Sequence, residues 1–186
     1  MAEFYKIHDG LIDQKTVDQI RMVLFGWQFP WTYYANTNYA EHQTAEDDVP
    51  QFTHGFMRDG KNNSNLTAMP LEVVKPFGLG FGDLLRAKAN LVGWEKDETS
   101  HPPHTDDNAP HYVVIYYVND SDGDTRLYLP DGSEHRIKPK QGRILAFHGH
   151  LKHASSSPVQ TRYRAVLNIN IKGHIPAERF GLAPLK

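Results

Sequence analysis

Two hydrophobic textures divide the chain. Over the first 87 residues the apolar positions recur at helical spacing. Val17, Ile20, Val23 and Leu24 follow Asp13, which is placed to cap a helix, and precede Gly26, which is placed to end it. The next stretch, 27–56, is aromatic but too rich in Pro, Asn and Asp for one regular element. A second helix is expected within 70–87, its limits blurred by Pro76 and three glycines. From Lys88 the pattern changes to short β-like runs at 88–94, 112–118, 125–129, 135–139, 143–147 and 163–171. Turn-rich segments at 119–124 and 130–133 separate them, with Gly132 supplying a positive φ in the second. Helices followed by a run of short strands predict an α+β fold, a sandwich or barrel of antiparallel strands backed by N-terminal helices. No repeat or linker splits the chain, so 1–186 reads as a single domain.

Composition narrows the function without naming it. The 186 residues are enough for a sizeable core, and 39% hydrophobic with 23% charged residues is ordinary for a globular protein. A formal net charge of −2, with both signs mixed along the chain, argues against a nucleic-acid or anionic-membrane partner. No apolar run reaches the length of a membrane span, and MAEFYKIHDG lacks the apolar centre of a signal peptide, so a cytoplasmic location is expected. Cysteine is absent, which removes disulfide and thiolate chemistry and leaves nitrogen and oxygen as the only strong metal ligands. Eleven histidines are many, and six of them (His101, His104, His111, His148, His150 and His153) fall within 53 residues.

The crowded stretch 100-SHPPHTDDN-108 carries the first candidate chemistry. His104 and Asp106 are two residues apart, so on a strand both side chains face one way and can converge on one ion. Such a pair is a frequent surface accident by itself. It gains weight from a third histidine available in 147-FHGHLKHASSS-157 and from an Arg-bearing strand downstream. Two histidines with one carboxylate make the facial triad that leaves coordination positions open and suits non-haem Fe(II). Zinc competes for the same ligand types, but no H-E-x-x-H pattern is present.

His104-Thr105-Asp106, 115-IYYVND-120, 123-GDTRLYLPDG-132, 142-GRILAFHGHLKHAS-155 and 162-RYRAVLNINI-171, taken in order, resemble the Fe(II)/2-oxoglutarate-dependent dioxygenases, most closely the prolyl-hydroxylase-like branch. The resemblance covers about the C-terminal half. It implies a double-stranded β-helix, or jelly roll, over 88–175, with 1–87 as helical support and lid. It implies His104, Asp106 and His153 as iron ligands, with His148 and His150 left out of the set. Arg164 would pair with the C5 carboxylate of 2-oxoglutarate, Arg162 being the alternative on the same strand face. Tyr117 and Asn90 would be further cosubstrate contacts. Asn168, a further cosubstrate contact, would face inward with Asn170, while Leu167, Ile169 and Ile171 pack outward against helices. The insert 95–103 would lie over the iron mouth, His101 within that loop and Asp107 in the turn beyond. The implied activity is hydroxylation of a C–H bond with Fe(II), 2-oxoglutarate and O2, releasing succinate and CO2. The first-choice substrate is a peptidyl (prolyl-type) or amino-acid group, ahead of a small metabolite or nucleobase. A non-catalytic cupin-like binding protein and a zinc hydrolase are the rival classes.

Overall fold

The computed structural model describes residues 4–35 and 49–184. Part of the aromatic stretch expected to form a lid, 36–48, lies outside them. In chain order the elements are β1 (Tyr5–His8), α1 (Gln14–Leu24), β2 (Thr32–Tyr34), β3 (Gln51–Arg58), β4 (Lys61–Asn62), α2 (Ala68–Val74), β5 (Leu84–Gly93), β6 (His111–Tyr117), β7 (Thr125–Tyr128), β8 (Glu134–Ile137), β9 (Ile144–His148), β10 (Lys152–Ser155) and β11 (Tyr163–Lys172). The larger sheet has the order β1-β9-β6-β11-β5-β3-β2, with β4 added on β3, and the smaller sheet runs β10-β7-β8. Every pairing is antiparallel. Segment 99–104 is an irregular fourth member of the smaller sheet, bridged at Ser100–Ser156 and His104–His153.

Side-chain alternation explains how one sheet serves two cores. Strands β6 and β9 are buried at every position, so their sequences read as unbroken apolar runs. Val113, Ile115, Tyr117, Leu145 and Phe147 point inward and meet Leu127 and Ile137 of the smaller sheet. Tyr112, Val114, Tyr116, Ile144 and Ala146 point outward, beneath Val17, Ile20 and Leu24 of α1 and Val73 and Val74 of α2. On β11 the outward set is Leu167, Ile169 and Ile171, as the sequence pattern requires. That leaves Arg164, Val166, Asn168 and Asn170 on the inner face.

The N-terminal half departs from expectation. It holds helices, with Asp13 capping α1 by accepting from Thr16 N at 3.0 Å, but Val23 faces solvent. Helix α2 stops after seven residues, and Lys75–Phe77 forms a 3-10 turn where Pro76 lacks an N–H. Much of 1–87 is strand rather than helical support: β1 pairs with β9 and β3 pairs with β5. Strand β5 begins at Leu84, not Lys88. A four-residue edge strand has no periodicity to detect, and β3 carries a register shift between Gly55 and Met57. The described residues contain no helix long and apolar enough to cross a membrane.

One corner fixes how β11 enters the sheet. The Asp122 carboxylate accepts from the backbone N–H of Val159 (2.9 Å), Gln160 (2.8 Å) and Thr161 (2.9 Å) and from the Thr161 hydroxyl (2.7 Å). Burial works against its ionisation, but these donors outweigh it and hold the carboxyl well below the usual carboxylate range. Asp122→Ala is therefore expected to lower unfolding free energy by about 2 kcal/mol, measured by urea denaturation at pH 7. Because the folded carboxyl titrates below its unfolded value, this contribution is complete above about pH 4 and shrinks as the pH falls further.

Candidate metal centre

Backbone pairing places the first two ligands side by side. His104 N donates to His153 O (3.0 Å) and His153 N donates to His104 O (2.9 Å), so the two residues are direct cross-strand neighbours. Their rings lie 4.7 Å apart between centroids. Each Nδ1 lies against a backbone carbonyl, His104 on Pro102 O at 3.2 Å and His153 on Leu151 O at 3.4 Å. A carbonyl only accepts, so Nδ1 carries a proton and, in the neutral ring, Nε2 is the nitrogen with the free lone pair. Both Nε2 atoms face Asp106, at 3.8 Å from Oδ1 for His104 and 3.9 Å from Oδ2 for His153. Ligand atoms of the three residues all fall within 4.8 Å of one another, the one such group among the described residues.

The surroundings keep His153 and Asp106 in ligating form. Burial pushes His153 down to about 4, so it is neutral at pH 7. Burial alone would raise the Asp106 carboxyl, but the charges of Arg86 and Lys88 and a hydrogen bond from Asn170 hold it well below the carboxylate range, with His153 adding to them only where it is protonated. Arg86 Nη2 stands 2.7 Å from Asp106 Oδ1, while Asn168 Nδ2 (3.0 Å) and Asn170 Nδ2 (2.8 Å) donate to Oδ2. Arg86 Nε in turn donates to Asn170 Oδ1 at 2.9 Å. Two imidazoles and an oriented carboxylate, open to a cavity on one side, fit a divalent metal such as Fe(II). Asn170→Ala should weaken Fe(II) binding by about 10–100-fold, read by anaerobic titration, because it frees the carboxylate that the amide holds.

The same cavity holds a second set of polar groups. It is lined by Lys88, Asn90, Thr125, Arg164 and Asn168 as well as by both candidate histidine ligands. Arg164 is buried, and its Nη2 donates to Thr125 Oγ1 at 2.7 Å. Tyr117 OH donates to the same oxygen at 2.8 Å, and the guanidinium lies 5.8 Å from the Tyr117 ring centre. Burial works against the Arg164 charge, its Nε is without a partner, and none of the described carboxylates forms an ion pair with it. Arg162 is exposed and lies just outside β11, away from the cavity.

The remaining sequence candidates fall elsewhere. His148 Nε2 donates to Ala183 O at 3.0 Å and ties down the C-terminal segment, and His150 lies beside it. Asp107 Oδ1 accepts from Ala109 N at 2.8 Å in the turn. The insert is tied down beside the cavity, which His101 helps to line. His101 is buried between the Ser155 and Ser157 hydroxyls, and Ser157 N donates to Thr99 O at 2.9 Å. Arg86, Lys88 and Thr125 went unsuspected in the sequence. Charged positions on a strand resemble a solvent face, and only the pairing of β5 with β11 shows Arg86 and Lys88 turned inward beside Asn90.

A scan of family models and a search of curated proteins both return no match. Solved structures do match. One is an oxidoreductase of the 2OG-Fe(II) oxygenase family from Burkholderia pseudomallei, 14% identical, covering 96% of this chain and 89% of that one with a TM-score of 0.70. The chain has the 2-oxoglutarate/iron(II) oxygenase fold. A Pseudomonas putida prolyl-4-hydroxylase is 15% identical over 91% of this chain and 93% of that one, with a TM-score of 0.56. A prolyl hydroxylase from Trichoplax adhaerens, solved with a hypoxia inducible factor peptide fragment, is 13% identical, covers 91% and 84%, and has a TM-score of 0.62. In this oxygenase fold the triad joins the two sheets, His104 and Asp106 on the segment between β5 and β6 and His153 on β10.

Proposed function

We propose that the protein is an Fe(II)- and 2-oxoglutarate-dependent oxygenase that hydroxylates a C–H bond with release of succinate and CO2. The observation that carries this reading is Arg164, a buried cation without a carboxylate partner among the described residues, in the cavity of the His-Asp-His triad. Metal-dependent hydrolysis does not in itself require such a group, whereas anchoring a dicarboxylate cosubstrate does.

His104 Nε2, His153 Nε2 and one Asp106 oxygen would hold the iron, leaving its other positions to the cavity. Bound iron supplies activation of O2 coupled to oxidative decarboxylation of the cosubstrate. The protein's own part is orientation. Arg164 receives the C5 carboxylate, and Tyr117, pushed up to about 12 by burial, stays neutral and can turn its O–H to the same group. Thr125 holds both donors in place beforehand. Asn168 and Asn170 fix the Asp106 carboxylate, and Arg86 keeps it ionised. A peptidyl or free amino-acid substrate is the class we favour, in keeping with the peptide bound by the Trichoplax enzyme.

The test is anaerobic addition of Fe(II) with and without 2-oxoglutarate, followed by the weak visible charge-transfer band. The band should form only with both present. No band, or zinc retained with no response to 2-oxoglutarate, would overturn the reading. Succinate release in a substrate screen then addresses the reaction itself.

A further inference from the structure

The cavity face of β5 carries two groups that neither the triad nor Arg164 explains. Lys88 and Asn90 are two residues apart on one strand, share a face, and both line the cavity. Lys88 is in register with Asn168, which bonds Asp106, so it enters at the level of the metal ligands. Arg164 is in register with Val92, four positions further along β5 and roughly 13 Å away. The two cations therefore serve opposite ends of the cavity.

Neither Lys88 nor Asn90 is satisfied by the protein. Among the described residues Lys88 Nζ makes no hydrogen bond or ion pair. Asp106, the acid whose charge reaches it, is already engaged by Arg86, Asn168 and Asn170. Burial pushes Lys88 down to about 8, and the neighbouring Arg86 pushes it the same way. A desolvated ammonium beside another cation is stabilised by an anion that arrives. Asn90 Oδ1 is buried with no donor on it. A carboxylate cannot satisfy that oxygen, since both only accept; an N–H or O–H can.

Resting on the oxygenase reading, we propose that the substrate carries a carboxylate, received by Lys88 beside the metal, and next to it an N–H or O–H donor for Asn90 Oδ1. That is the chemistry of an amino acid, whether free or at the C-terminal end of a peptide.

The experiment uses protein loaded with Fe(II) and 2-oxoglutarate and kept without oxygen. It is titrated with N-acetylglycine and with N-acetylglycinamide, binding being followed by calorimetry and by change in the visible band. The acid should bind at least about tenfold more tightly than the amide, one charge-assisted contact. That preference should vanish in Lys88→Met and persist in Lys88→Arg, while the band formed by iron and 2-oxoglutarate still appears in both. Removing an unpaired buried charge does not threaten folding. Equal affinity of the two probes for the wild type, including no measurable binding of either, overturns the proposal. So does a preference that survives Lys88→Met, or loss of the band in that variant, which would move Lys88 to the cosubstrate. Absence of the band in the wild type counts against the oxygenase reading instead, and the acid-over-amide preference is then read on the metal-free protein. Glycine compared with N-acetylglycine separates the free amino acid from a chain end.

Discussion

Asp106→Ala should lose Fe(II) binding by more than about 100-fold, beyond the range seen when only an outer partner of a ligand is removed. The substitution takes away one of three ligands and, with it, the group around which the site is assembled. Arg86 loses its ion pair, and the Nδ2 groups of Asn168 and Asn170 lose their acceptor. The second effect is separable from the first. Breaking a buried pair costs about 3–5 kcal/mol, and the value here should fall toward the lower end because the Arg86 side chain is 22% exposed. Asp106→Asn keeps the volume and an oxygen while removing the charge. It should recover part of the stability and little of the metal affinity. Anaerobic titration measures the one and urea denaturation the other. Fe(II) affinity within tenfold of the wild type in Asp106→Ala would mean that the metal is held elsewhere.

Arg164→Ala should raise the 2-oxoglutarate concentration needed for half-formation of the charge-transfer band by about 10–100-fold, the worth of a charge-assisted hydrogen bond to a carboxylate. Arg162→Ala should change it by no more than about twofold, since an exposed charge acts through solvent. The two arginines are two residues apart and nearly the same in sequence context, so the pair is a sharp internal control. Arg162 lies before the strand begins and is exposed, whereas Arg164 is paired with Val92 and buried against Tyr117. The opposite ranking would shift the cosubstrate anchor to the rim. Iron affinity measured without 2-oxoglutarate should be the same in both variants, which separates loss of the anchor from damage to the triad.

The parts of this architecture that sequence makes legible are those with strong local signals. The inward set of β11 followed from alternation: Leu167, Ile169 and Ile171 are apolar, while Asn168 and Asn170 are not. Two-residue spacing marks His104 and Asp106 as candidates, and resemblance to a family selects them together with His153. What escaped was long-range. The strand character of 1–87 depends on β1 finding β9 and β3 finding β5, partners far along the chain that leave no mark on local composition. Arg86 and Lys88 looked like solvated charges for the same reason. Their role appears only when β5 is laid against β11, where Arg86 faces Asn170 and Lys88 faces Asn168. The insert before His104 is expected over the iron mouth, but its local sequence, with Pro102 and Pro103, does not show what holds it. Its backbone is nonetheless tied to the segment from His153 to Ser157.

That tie has a consequence for how the centre is filled. His104 and His153 are locked to each other by two backbone hydrogen bonds, independent of anything their rings hold. The ligand geometry is thus a product of folding rather than of loading. Protein stripped by a chelator should stay folded and unfold at a temperature close to that of the loaded form at low free metal. Replacement iron should then enter a finished socket, at a rate set by access through the cavity and without a refolding step.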